Sequence, residues 1–397
     1  MNAKELLKKY SKPENYINRD LSWVEFNKRV LEEALNPELP LLEKVKFISI
    51  FCSNLDEFYM IRISGLKEQI AANVDEPSID GLTPIEQLKK IEKTLKPLLK
   101  TLDNYWMDYI VPSLNENNVK LLSLDDITDD DKAKLTEYFK KEIYPVLTPL
   151  AFDPGRPFPY ISNLSLSLAI LIRKPNGENH FARVKVPSIL SRLLQIDNII
   201  EPKKSIGSNG NFTATYMWLG DLIKANLPLL FPGMEIVEAH RFRITRDTDI
   251  ELQEDEADDL LSVIEENIKQ RRFGSVVRLE VGHPVPDFML NTLIDNLQIT
   301  KDDVHVSDGP LGLSDVMGLF KLPLHQLKEK PFYPVIPKVF EEEEDYFSII
   351  RQKDILLHHP YHSFSPIIDF IKKAALDPDV LAIKQTLYRV GPDSPIV

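Results

Sequence analysis

Asn54 stands in the run Ser53-Asn54-Leu55-Asp56-Glu57-Phe58. A side-chain amide offers donors and an acceptor that suit a purine edge, and a helix starting there would turn its positive end toward phosphate. The same spacing also makes a capping pattern, with Asn54 opening a helix and Glu57 three residues on completing the box, a use that needs no ligand. Basic residues concentrate at Arg241, Arg243 and Arg246 and at Lys269, Arg271, Arg272 and Arg278. They form either a solvated face or a track for a polyanion. His358 and His362 have the i, i+4 spacing of a metal pair, but Pro360 between them prevents a continuous helix. None of the eight histidines is followed two residues on by lysine, so no imidazole nucleophile stands beside a phosphate-binding ammonium in His-x-Lys form. Neither G-x-x-x-x-G-K-[ST] nor G-x-G-x-x-G after a strand is present. Asp247, Asp249 and Glu251 imitate the start of a calcium loop, yet Leu252 stands where the turn needs glycine. Cys52, the single cysteine, lies in an apolar run and reads as a small core residue.

The elements that must carry these residues follow from periodicity. Apolar residues recur at helical spacing from Leu21 to Tyr109, through Trp23, Phe26, Val30, Val45, Ile48, Leu55, Tyr59 and Ile63, which predicts a helical bundle broken by a loop over Asp75–Pro84. A long helix of mixed charge, about Pro84–Tyr109, closes it, and a boundary falls near Asn118. A further helix spans about Asp129–Ile143. Leu164–Ile172 and His180–Val186 read as strands joined by the hairpin signal Lys174-Pro175-Asn176-Gly177. Ile236–Ile244 and Val276–Val281 add strands, and Glu254–Gln270 and Asp287–Leu297 add helices, giving an α+β domain. The Pro-rich stretch 330–337 marks a second boundary near Val335, beyond which come a helix, Pro366–Ala375, and a strand, Val380–Val390.

At ~150 residues per domain, 397 residues imply two to three domains, and 43% apolar with 27% charged residues is a globular composition. A formal charge of −13 argues against a duplex-DNA coat or a membrane-surface binder, so an anionic partner needs a local basic site. A lone cysteine excludes an internal disulfide framework, and the start MNAKELLKKYSK lacks the apolar stretch of a signal peptide. No run reaches the ~18 apolar residues of a membrane span. A cytoplasmic protein is expected, with peripheral membrane association left open.

The segments Tyr16–Leu31 (YINRDLSWVEFNKRVL), Ser53–Tyr59 (SNLDEFY), Ile244–Asp247 (ITRD), Leu356–Phe364 (LLHHPYHSF) and Val380–Val390 (VLAIKQTLYRV) resemble the histidine-autophosphorylating polyphosphate kinases, and the resemblance covers essentially the whole chain. It implies a multidomain α+β protein: a helical N-terminal domain (1–118), an α+β head domain used in dimer contacts (119–335), and the beginning of an α/β phospholipase-D-like catalytic domain (336–397). It further implies reversible transfer of the terminal phosphate of ATP to inorganic polyphosphate through a phosphohistidine, with magnesium, in a homodimer or higher homo-oligomer without a nucleic-acid partner. By position, Asn54 matches the family's nucleotide-binding asparagine, and Arg389 matches an arginine of its magnesium-phosphate site. A guanidinium has no lone pair for Mg²⁺, so Arg389 is expected to grip phosphate oxygens beside the ion. The cluster Lys269, Arg271, Arg272, Arg278 is the candidate polyphosphate track. The resemblance places the family's phosphorylated histidine beyond Val397, so these 397 residues alone are expected to be inactive. A noncatalytic dimerising or nucleotide-binding module is the alternative. A phospholipase-D-like phosphodiesterase is weaker, for want of His-x-Lys.

Overall fold

The computed structural model describes residues 9–152, 158–200, 212–247, 274–340 and 345–386, together with 394 and 396. The chain divides into two compact units, Met1–Glu329 and Lys330–Val397.

The first unit opens with a helix pair. Helix α1 (Arg19–Leu35) is capped by buried Asn18, whose side chain accepts from the backbone N–H groups of Asp20 and Leu21. Helix α2 (Leu41–Phe58) follows Pro40 and runs through a π-helical turn, Tyr59–Ile63, into α3 (Ser64–Ala71). Helix α4 (Pro84–Tyr105) starts in a capping box of Thr83 and Glu86 and continues through a second π turn, Trp106–Ile110, into α5 (Val111–Glu116). Their apolar stripes meet around Phe51, Phe58 and Trp106, each almost wholly buried. Burying a side chain of this kind contributes roughly 1.5–3 kcal/mol. Val119, Leu193, Ala214 and Leu313 join the same core, so the helices and the segments after Asn118 are packed together.

Strand β1 (Val119–Leu121) precedes helix α6 (Asp129–Tyr138), which a third π turn extends to Ile143. Then come β2 (Pro149–Phe152), β3 (Leu166–Arg173), β4 (Asn179–Lys185), β5 (Leu193–Gln195), β6 (Ala214–Trp218), α7 (Leu219–Ala225), β7 (Glu235–Arg246), β8 (Val276–Gly282), α8 (Asp287–Leu297) and β9 (Val304–Ser307). The β3–β4 hairpin forms as expected, and Gly177 takes the positive φ, +87°, that its turn requires. A six-stranded sheet has the order β2-β4-β3-β7-β8-β9, antiparallel except for the parallel β8–β9 pair. A three-stranded sheet, β1-β6-β5, stands apart from it. The helix expected over Glu254–Gln270 lies outside the described residues.

In the second unit, α9 (Tyr346–Gln352) and α10 (Ser365–Leu376) are helical, and Val335 bridges to His362. The strand expected over Val380–Val390 is not formed in its described part: residues 380–386 carry no strand, and Leu381 is 97% exposed. An apolar extended run becomes a strand only when a neighbour pairs with it, and no such pairing occurs among the described residues of this unit. Among the described residues, no helix is long and apolar enough to cross a membrane.

Candidate functional site

Asn54 does not open a helix. It lies inside α2, four residues before its end, because the apolar positions Val45, Ile48, Phe51 and Leu55 carry the helical period straight through Ser53 and Asn54. Its role is set by the neighbouring helix. The Asn54 Nδ2 donates to Asn27 Oδ1 at 3.1 Å, and the fully buried Asn27 donates in turn to the Phe51 carbonyl at 3.1 Å. This relay from α1 to α2 fixes one amide proton of Asn54, and an amide carries a second proton and a carbonyl oxygen.

Asn54 lines a pocket of about 460 Å³ between α1 and α2, together with Trp23, Phe26, Glu57, Ile61 and Arg62. That volume lies within the range of small-molecule sites, ~300–1,000 Å³. Trp23 stacks on Phe58 with ring centroids 4.1 Å apart and planes 5° from parallel. Phe58 is buried beneath it, and the half-buried indole forms part of the pocket wall. Arg62, in the π turn, is held by Asp20 through Nε at 2.8 Å and a second bond at 3.3 Å. Arg19 and Arg62 stand against Asp20 and Glu57, so the lining is balanced in charge. An aromatic wall, a fixed amide and a neutral balance suit a flat heterocycle better than a triphosphate.

Behind this pocket, Asp56 on the other side of α2 enters a buried charge cluster. Arg243 of β7 binds Asp56 through both terminal nitrogens and Glu280 of β8 at 2.5 Å. Arg278 of β8 binds Asp56, reaches Glu280 at 3.1 Å, and donates to Thr245 at 3.0 Å. Its guanidinium lies 4.4 Å from the centre of the Tyr59 ring. The β7–β8 register sets Arg243 opposite Glu280 and Thr245 opposite Arg278, so the sheet itself assembles the cluster. Burial disfavours the charged Arg243, but Glu280 and Asp56 more than offset this and raise its pKa. Burial likewise opposes the charged Glu280, and Arg278 and Arg243 overcome it, lowering its pKa to about 2. Burial pushes Tyr59 up to about 12 and the Cys52 thiol above its ordinary value, which leaves Cys52 protonated and unreactive.

Arg278 is therefore not part of an exposed basic track. Its side chain is 3% exposed and neutralised by two carboxylates, because alternation along β8 turns it inward with Glu280. Arg243 is buried in the same way, Arg241 faces Asp221 at 3.5 Å, and Arg246 donates to the carbonyls of Ile161 and Gly274. Lys269, Arg271, Arg272 and Arg389 lie outside the described residues. His358 and His362 close a turn: the His358 N–H donates to His362 Nδ1 at 3.0 Å, and the His362 N–H to the His358 carbonyl at 2.8 Å. Among the described residues, no three of His, Cys, Asp or Glu assemble as a metal-holding group. Sequence reasoning did not single out Asn27, Trp23 or Arg62 as site residues. Trp23 and Asn27 lie in the resemblance segment Tyr16–Leu31, Arg62 lies three residues beyond Ser53–Tyr59, and the three come together only through the pairing of α1 with α2.

Three family models match in chain order: the polyphosphate kinase N-terminal domain over 16–122, the middle domain over 130–319 and the C-terminal domain 1 over 345–397. Polyphosphate kinase 1 of Chlorobaculum tepidum is 49% identical over 391 residues, 98% of this chain and 55% of that protein. The polyphosphate kinase of Mycobacterium tuberculosis is 43% identical over 389 residues, 97% of this chain and 52% of its own length. The crystal structure of polyphosphate kinase from Porphyromonas gingivalis superposes with a TM-score of 0.76 at 26% identity, covering 96% of this chain and 52% of that one. The chain spans about half the length of the curated relatives it matches.

Proposed function

The chain belongs to the polyphosphate kinase family, and from that premise we propose that it is the nucleotide-holding half of an enzyme transferring the terminal phosphate of ATP reversibly to inorganic polyphosphate through a phosphohistidine. The observation that carries this reading is the run of three family matches in order along the chain. In it, Asn54 hydrogen-bonds the base or ribose end of ATP and Trp23 offers the base a flat wall. Holding that end leaves the phosphates to groups elsewhere, in keeping with a reaction whose catalysis is chiefly positioning and charge stabilisation. The division into 1–118, 119–335 and 336–397, a homodimer built on the head domain, and a cytoplasmic location belong to the same reading.

Magnesium enters through Arg389, which would grip phosphate oxygens next to the ion; the described residues offer no carboxylate set for it, and no step is routed through it. Lys269, Arg271 and Arg272 remain the proposed polyphosphate track. The alternative is a noncatalytic nucleotide-binding or dimerising module, favoured by the lack of any His-x-Lys in these 397 residues.

Incubation with γ-labelled ATP, magnesium and polyphosphate separates the two. The polypeptide of the complete reading frame should take up acid-labile, alkali-stable label and lengthen the polymer, while residues 1–397 alone should do neither. Absence of label and of polymer growth in both would leave the noncatalytic module.

A further inference from the structure

A second pocket, of about 430 Å³, opens where the ends of β3 and β4 meet the loop before β5. Its polar lining includes Lys185, Arg192, three serines (Ser165, Ser188, Ser191), Asp315 and Asn163, whose Oδ1 already accepts from the Arg246 N–H, and no aromatic ring is among its lining residues. Two cations thus stand against one carboxylate in a protein of net charge −13. Lys185, the last residue of β4, donates to Ser162 Oγ at 3.1 Å, and no carboxylate lies within ion-pair distance of it among the described residues. Arg192 is held rigidly: one terminal nitrogen donates to Asp315 at 3.0 Å and the other to the Leu311 carbonyl at 2.9 Å, while its buried Nε has no partner.

Burial depresses the Arg192 pKa to about 10; Asp315 and Glu280 oppose this, and Arg243 and Arg241, themselves facing carboxylates, add repulsion. Arg183 stands two residues before Lys185 on the same face of β4, with a buried terminal N–H group that has no partner. Its pKa is also lowered to about 10 by burial and by Arg246. Cations under-compensated by carboxylates are stabilised by an anion that brings its own acceptors.

We propose that this pocket binds a short inorganic oligophosphate. Hydroxyl groups and two cations match tetrahedral phosphate oxygens, and aliphatic walls without a ring give a nucleoside base nothing to stack on. The site is separate from the Asn54 pocket and does not depend on what that pocket holds.

Tripolyphosphate titrated into the 397-residue protein, followed by calorimetry, tests this. Wild type should bind, and binding should weaken as salt is raised. Lys185→Gln should weaken it at least tenfold, and Ser188→Asp, a change at an exposed position, should abolish it with melting behaviour unchanged. Asn54→Asp should leave it intact, and ATP binding should be the same in wild type and Lys185→Gln. No binding by wild type, or equal binding by all variants, would overturn the proposal. A parallel loss of ATP binding in Lys185→Gln would do so too, by assigning the pocket to a nucleotide tail.

Discussion

Replacing Asp56 by Asn keeps the shape of the side chain and removes one of the two negative charges that neutralise Arg243 and Arg278. Both arginines are buried, with side chains 4% and 3% exposed, so water cannot make up the difference. Among the described residues, Glu280 would remain as the only carboxylate for two guanidinium groups. Removing one partner of such a buried group costs roughly 3–5 kcal/mol, against roughly 0–1 kcal/mol for an exposed pair. Measured against a total stability of ~5–15 kcal/mol, Asp56→Asn should remove about a fifth of it or more. Urea unfolding at neutral pH reads this as a lower midpoint. Asp56→Asn combined with Arg278→Met should cost clearly less than the two single changes added, because the double variant no longer leaves the same charge unpaired. An Asp56→Asn loss below about 1 kcal/mol, or strict additivity with Arg278→Met, would refute the view that this cluster ties α2 to the sheet.

The depressed pKa of Glu280 means that its stabilisation is fully present above about pH 4.5 and is lost as pH falls toward about 2. Acid titration of unfolding should therefore show a loss in that window that Glu280→Gln largely removes. Light scattering at micromolar concentration should find a homodimer that persists in this chain, and a monomer alone would remove the head-domain contact. Reversing charge at Lys269, Arg271 and Arg272 should weaken binding of long polyphosphate far more than that of ATP, with an effect that shrinks in salt; an unchanged affinity would return these residues to a solvated face.

The sequence shows clearly what depends on near neighbours and poorly what depends on pairing at a distance. The β3–β4 hairpin was legible because alternation and an Asn-Gly turn act within twenty residues. The Ser53–Glu57 run has the residue types of a cap, but the apolar period from Val45 to Leu55 is the stronger constraint and keeps it helical. Arg243 and Arg278 looked like surface charge because alternation assigns a face and not a solvent. Two charged positions on a strand buried along its whole length, as β8 is, required the acidic partner that α2 supplies from more than 180 residues away. The run after Val380 has strand composition, yet composition cannot provide a pairing partner.

The most direct measurement is equilibrium titration of ATP into wild type, Asn54→Asp and Trp23→Leu, with melting temperatures taken in parallel. If the α1–α2 pocket holds the nucleotide, both substitutions weaken ATP binding at least tenfold; Asn54→Asp also removes the donor to the buried Asn27 Oδ1 and should cost about 1–3 kcal/mol of stability, which leaves a protein of ~5–15 kcal/mol folded. Unchanged ATP affinity in both variants, or a loss of affinity that only tracks loss of stability, would contradict the account.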